Sequence, residues 1–162
     1  MGGPVARPGK GGSELAEHAA EQLVIRATPE RCFATVVDFD RYAQWATDIK
    51  EVSVVRRDEE GRALSVTFRA GAFGRSTTYT LDYDYAKAPE VLSWVLSEGD
   101  LTTRLDGSYR FAAVGEGETD VSYDLYVDLR VPIPGFVKRR AEGRITHIAL
   151  KELKDWIESQ PG

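Results

Sequence analysis

The chain has 162 residues, of which 42% are apolar, 10% aromatic and 29% charged; this suits one domain with a sizeable core and is too short for two ordinary domains. Acidic residues outnumber basic ones 26 to 21, and the net charge of −5 argues against general affinity for DNA, RNA or an anionic bilayer, which rests on neutralised phosphates. A single cysteine, Cys32, excludes an internal disulfide framework, and with two histidines a Cys/His zinc site is not expected; nothing calls for a metal or cofactor.

Residues 1–14 are rich in glycine and proline and read as a disordered tail ahead of one domain over residues 15–160. They lack the apolar core of a secretory signal, and the alanine at position 6 breaks a myristoylation motif after Gly2. No stretch approaches the ~18 apolar residues that span a bilayer, so a cytoplasmic protein is expected, monomeric or weakly dimeric and without stable membrane insertion.

Leu23, Ile25 and Ala27 alternate with polar residues, which predicts a strand over Glu21–Ala27. Thr28-Pro29-Glu30 reads as an N-cap, a first-turn proline and an acid that favours the helix dipole. The helix should run from Glu30 to about Val37 and bury Cys32, Phe33, Val36 and Val37. Asp38 or Asp40 should cap a second short helix, Arg41 to about Ala46, presenting Tyr42 and Trp45 at i, i+3.

Six alternating segments follow, at 49–57, 63–72, 75–86, 91–98, 102–114 and 118–130, separated by short turn signals such as Glu59-Glu60-Gly61 and Gly115-Glu116-Gly117. Such short gaps permit hairpins and forbid parallel crossovers, so the segments form an antiparallel meander. One face carries, among others, Val66 and Phe68; Tyr79, Leu81 and Tyr83; Leu92 and Trp94; Gly107, Tyr109 and Phe111; and Val121, Tyr123 and Leu125. Strands of about 33 Å at ~3.3 Å per residue must twist and curl.

After Val131-Pro132-Ile133-Pro134-Gly135, one long helix is expected from Phe136 to about Ser159. Its apolar stripe comprises Val137, Ala141, Ile145, Ile148/Ala149, Leu153 and Trp156/Ile157, and at ~1.5 Å per residue it matches the strands in length. The fold class is therefore α+β: a curved antiparallel sheet of about seven strands wrapped around a long C-terminal helix, the helix-grip arrangement.

Particular segments carry a family resemblance: Ala27-Thr28-Pro29-Glu30, the run from Val37 to Trp45, Tyr79-Thr80-Leu81-Asp82-Tyr83, Leu105-Asp106-Gly107-Ser108-Tyr109, and Val131 to Arg140. Here the sequence resembles the START-like (SRPBCC) superfamily, in particular its polyketide cyclase/dehydrase and coenzyme Q-binding branch, over residues 17–158. The resemblance implies an elongated hydrophobic cavity between helix and sheet that holds lipids, quinones, polyketides or plant hormones.

The walls of that cavity are assigned to Trp45, Phe68, Tyr79, Tyr83, Trp94, Tyr109, Tyr123 and Phe136. Buried tyrosine hydroxyls need partners, which points toward a ligand. Gly107 either opens space for that ligand or lets the sheet bend. The basic cluster Lys138-Arg139-Arg140 with Arg144 opposes the helix dipole and has three readings: pairing with nearby acids, Arg140 or Arg144 turning inward to a ligand head group, or docking on an anionic membrane or RNA. The ligand-binding assignment takes the second reading. Entry is expected near Phe73-Gly74-Arg75 and the Pro132–Gly135 hinge.

Candidates for catalysis are few. Ser108 lacks a nucleophile-elbow context, Cys32 lies on an apolar helix face, and His147 sits just off the helix stripe, with His18 before the first strand. The family's aromatase/cyclases use an arginine and a tyrosine inside the cavity; Arg69 falls near that arginine, but alternation sends it outward. Asp48-Ile49 lacks the expected phenol. No catalytic residue is assigned. The leading expectation is a carrier or sequestering protein for a small hydrophobic or amphipathic ligand, with no DNA partner. The alternatives are a polyketide cyclase or dehydratase using the same cavity, and an interaction module like the family's ribosome-association toxins.

Overall fold

The computed structural model describes residues 18–72 and 74–161; residues 1–17, which include the tail expected over 1–14, lie outside the described residues, as do Phe73 and Gly162. In chain order the elements are β1 (His18–Ile25), α1 (Pro29–Val36), a 3-10 turn (Phe39–Arg41), α2 (Tyr42–Trp45), β2 (Ile49–Arg57), β3 (Ala63–Ala72), β4 (Arg75–Asp84), β5 (Val91–Gly99), β6 (Thr102–Gly115), β7 (Glu118–Leu129) and α3 (Gly135–Ser159). The strands form one antiparallel sheet in the order β1-β7-β6-β5-β4-β3-β2. The meander thus runs outward from β7 to β2, and the first strand returns to cover the β7 edge.

Three local expectations shift. β1 starts at His18, because β7 offers ladder partners as far as Tyr126, and it ends at Ile25, where the Ala27 N–H bonds back to the Ile25 carbonyl at 3.0 Å. The second helix opens as a 3-10 turn, and the Asp38 carboxylate pairs with Arg41 at 3.3 Å instead of capping a backbone N–H. Phe39, inside that turn, is only 3% exposed and joins the core. The start of α1 is as read: Thr28 Oγ1 accepts the Arg31 N–H at 3.2 Å and Pro29 occupies the first turn.

The third shift concerns α3. Its buried residues are Glu142, Thr146, Leu150, Leu153 and Ile157, whereas Val137 and Ile145 from the expected stripe stay exposed. The helix lies mainly over β1, with β7 beside it, so it leans toward one edge of the sheet rather than crossing its centre. One flank of the helix therefore packs on the sheet, and the neighbouring flank is left over open space. Arg31 of α1 secures the far end: its guanidinium donates to the Ile157 and Gln160 carbonyls at 3.2 and 3.4 Å, satisfying groups the helix end leaves free.

Candidate functional site

The flank of α3 that does not pack on the sheet carries Ile145, Ile148, Ala149 and Glu152, and these residues roof a cavity of about 190 Å³. Below them the sheet supplies alternate residues from successive strands: Phe68 from β3, Tyr79 and Tyr83 from β4, Trp94 from β5, Tyr109 from β6 and Tyr123 from β7. Trp45 and Tyr42 close the side from α2. Alternation along each strand puts these side chains on one face, and the curl of the sheet brings them round a common space.

The rings form a nearly continuous wall. Phe68 stacks on Tyr79 with centroids 5.4 Å apart, Tyr83 meets Trp94 at 5.8 Å, and Tyr109 stacks on Tyr123 at 4.7 Å. Trp94 bridges the last two groups, at 5.6 Å from Tyr109 and 5.8 Å from Tyr123. Such ring pairs add stability beyond burial.

The polar groups of this wall divide into satisfied and waiting. The Tyr42 hydroxyl donates to the Val36 carbonyl at 2.7 Å, and Thr77 Oγ1 donates to Asp100 at 2.6 Å. Among the described residues the hydroxyls of Tyr79, Tyr83, Tyr109 and Tyr123 have no hydrogen-bond partner. The Trp45 indole N–H and Thr102 Oγ1 also lack one, and these two atoms are fully enclosed. Burial pushes the pKa of all four phenols up; at Tyr79 the nearby Asp48 carboxylate adds to the effect. At neutral pH these phenols are therefore hydrogen-bonding groups rather than bases.

The charged residues on the cavity lining are Asp48 and Glu152. Glu152 is held in place: its carboxylate accepts the Thr47 backbone N–H at 3.1 Å and the Thr47 hydroxyl at 2.6 Å. This pair ties α3 to the segment between α2 and β2. Asp48, Gly71 and Ile145 are the exposed lining residues, which puts the mouth on the side of the β3–β4 turn; Phe73 of that turn is outside the described residues, and no residue of the Pro132–Gly135 hinge, the other expected entry, lines the cavity. Among the described residues no cluster of His, Cys, Asp and Glu could hold a metal ion, and no helix is long and apolar enough to cross a membrane.

The cavity gathers Trp45, Phe68, Tyr79, Tyr83, Trp94, Tyr109 and Tyr123, and three other expected wall or head-group residues lie elsewhere. Phe136 is 60% exposed, and Arg140 and Arg144 are exposed on α3 without lining the cavity. The cause is the lean of the helix: its first turns bury the flank of Glu142 and Thr146 and present the rest to solvent. Within the basic cluster only Lys138 makes ion pairs among the described residues, with Asp128 at 3.0 Å and, one turn along the helix, with Glu142 at 4.0 Å.

Arg69 points outward, its Nε 3.1 Å from Glu51 Oε1. His147 is outside the cavity and bonds Glu21 at 2.8 Å, and His18 pairs with Asp124 at 2.9 Å on the opposite face of the sheet. Cys32 is fully buried, and burial raises its thiol pKa, which makes it inert. Two lining residues were not assigned from sequence. Glu152 recurs at helical spacing after Ile145 and Ile148, a charge on an otherwise apolar flank, and Asp48 stands directly before β2, three residues after Trp45.

A family model described as polyketide cyclase/dehydrase and lipid transport matches residues 17–158. Among solved structures, a START superfamily protein from Mycobacterium smegmatis is 23% identical, with a TM-score of 0.84, covering 88% of this chain and 98% of that one. The Zhui aromatase/cyclase from Streptomyces is 14% identical with a TM-score of 0.76, covering 87% of this chain and 93% of that one. The human StarD13 lipid transfer and protein localization domain is 13% identical with a TM-score of 0.66, covering 85% and 75%. At these identities the likeness shows the shared helix-grip fold. No curated protein matches the sequence.

Proposed function

The chain belongs to the polyketide cyclase/dehydrase and lipid transport family, and from that premise we propose that it is a non-catalytic carrier or sequestering protein for a small, flat, largely apolar molecule. The observation that carries this reading is an aromatic-walled cavity with four phenols that have no partner among the described residues. On the same lining the Trp45 indole N–H and Thr102 Oγ1 are buried without partners; groups left unpaired in this way cost about 1–3 kcal/mol each, so a ligand offering hydrogen-bonding atoms among its rings would recover part of that cost. The volume of about 190 Å³ exceeds the ~150 Å³ that accepts a benzene and falls below the ~300–1,000 Å³ of drug-sized sites. A ligand of one or two fused rings suits this space better than a long isoprenoid or acyl chain.

A second reading, a cyclase or dehydratase, is favoured by one observation: the Asp48 carboxylate stands close enough to Tyr79 to raise its pKa, an acid–phenol pair at the mouth. Against it, the inward arginine of the family's aromatase/cyclases has no counterpart on the lining, and Arg69 is committed to Glu51.

Native mass spectrometry of the purified full chain tests the proposal. Retention of one small molecule per chain, lost in the cavity-filling variant Ala149→Phe, is the expected result. Recovery of the wild type empty, together with failure to bind naphthalenemethanol, would overturn it.

A further inference from the structure

The geometry points to a ligand class: the cavity takes a ring system bearing a cationic nitrogen in preference to its anionic counterpart. This rests on the binding reading above and adds the charge of the ligand to it.

Three observations converge. Both charged residues on the lining, Asp48 and Glu152, are acidic, and no lysine, arginine or histidine lines the cavity. They are neighbours at the mouth, because Glu152 is bonded to Thr47, the residue before Asp48. The donors that hold Glu152 are a neutral amide and a neutral hydroxyl, so its negative charge is positioned without being cancelled. Tyr79 feels the Asp48 charge, and Trp45 and Phe68 line the same cavity; the faces of such rings carry the negative lobe of the π quadrupole and attract a cation. The unpartnered phenol oxygens deeper in can accept an N–H as well as donate.

A carboxylate or sulfonate head group would instead meet two like charges, with no counter-charge to offset its loss of water. The sequence-based expectation had the opposite sign, since Arg140 and Arg144 were to meet an acidic or carbonyl head group. Both are exposed off the lining. An ammonium at the mouth, with its rings between Phe68 and Trp94, satisfies the acids and fills the apolar space together.

The test is calorimetric titration of the full chain at low salt with three matched probes: naphthylmethylammonium, naphthalenemethanol and naphthoate. The expected order of affinity is cation, then neutral, then anion, with about a tenfold span between the ends. Asp48→Asn with Glu152→Gln should collapse that span to about twofold, and Asp48→Lys should move the preference toward naphthoate. A flat or reversed order with tight binding of the neutral probe would overturn the charge preference while leaving the binding reading in place. Failure of all three probes to bind a chain recovered empty would overturn both.

Discussion

Trp94 lies over Gly107. The two residues face each other across β5 and β6, and a Cβ on Gly107 would sit 2.6 Å from Cζ2 of the indole and 2.5 Å from the Asp124 carbonyl oxygen. The glycine therefore leaves no empty space for a ligand. It makes room for an indole, and that indole joins the Tyr83 ring to the Tyr109–Tyr123 pair in the cavity wall.

Gly107→Ala should accordingly destabilise the fold by about 1–3 kcal/mol, because the obstructing carbonyl belongs to the backbone of β7 and cannot swing aside. Urea unfolding measures the loss, and near-UV circular dichroism should show Trp94 displaced. An unchanged midpoint would mean that the indole does not occupy the space above residue 107.

The tyrosines predict an alkaline limit. Burial chiefly raises the pKa of Tyr79, Tyr83, Tyr109 and Tyr123 above the ordinary value near 10, and burial pushes Tyr85 up to about 12. The folded chain keeps these protons to higher pH than the unfolded chain does. Their contribution to stability is thus complete below about pH 10 and falls as the pH rises beyond it. Tyrosinate absorbance and far-UV circular dichroism followed together should change in one step above pH 10. Ionisation of all seven tyrosines near pH 10 with the sheet intact would contradict the burial of the phenols.

The Thr47–Glu152 contact predicts a kinetic effect. Thr47→Val removes the 2.6 Å hydroxyl bond and leaves the backbone bond, so the tie between α3 and the mouth is weakened rather than lost. Stability should fall by about 0.5–1.5 kcal/mol, and naphthalenemethanol should exchange faster with little change in the heat of binding. Slower exchange would show that this contact does not restrain the mouth.

Arg140 and Arg144 supply a negative test. Both are exposed on α3 away from the cavity lining, so Arg140→Ala and Arg144→Ala should leave probe affinity within about twofold, the usual scale of surface substitutions. A tenfold loss in either variant would place that side chain at the ligand after all.

Much of this architecture is legible in the residues themselves. Gly61 and Gly117 take positive φ in the hairpin turns where the turn signals were read, and between such turns strict alternation assigns Phe68, Tyr83, Trp94 and Tyr123 to one face. The phase of α3 is less legible, because two neighbouring apolar flanks share the same periodicity. Sequence spacing does not say whether the flank of Leu150 and Leu153 or that of Ile145 and Ile148 touches the sheet. The lean of the helix toward β1 decides it, and with it the fates of Phe136, Arg140 and Arg144. Asp48 and Glu152 become neighbours only through a contact between residues more than a hundred positions apart. The role of Gly107 likewise depends on the direction of the Trp94 side chain on the adjacent strand.

A ligand site under α3 is distinguished from a packing defect most directly by calorimetric titration of naphthalenemethanol into the wild type and Ala149→Phe. Ala149 lies on the roof of the cavity, and a ring at that position would occupy the volume beneath it. Saturable binding at one site per chain in the wild type and none in the folded variant is the expected result. Equal binding by both proteins, or none by a wild type recovered empty, would contradict it.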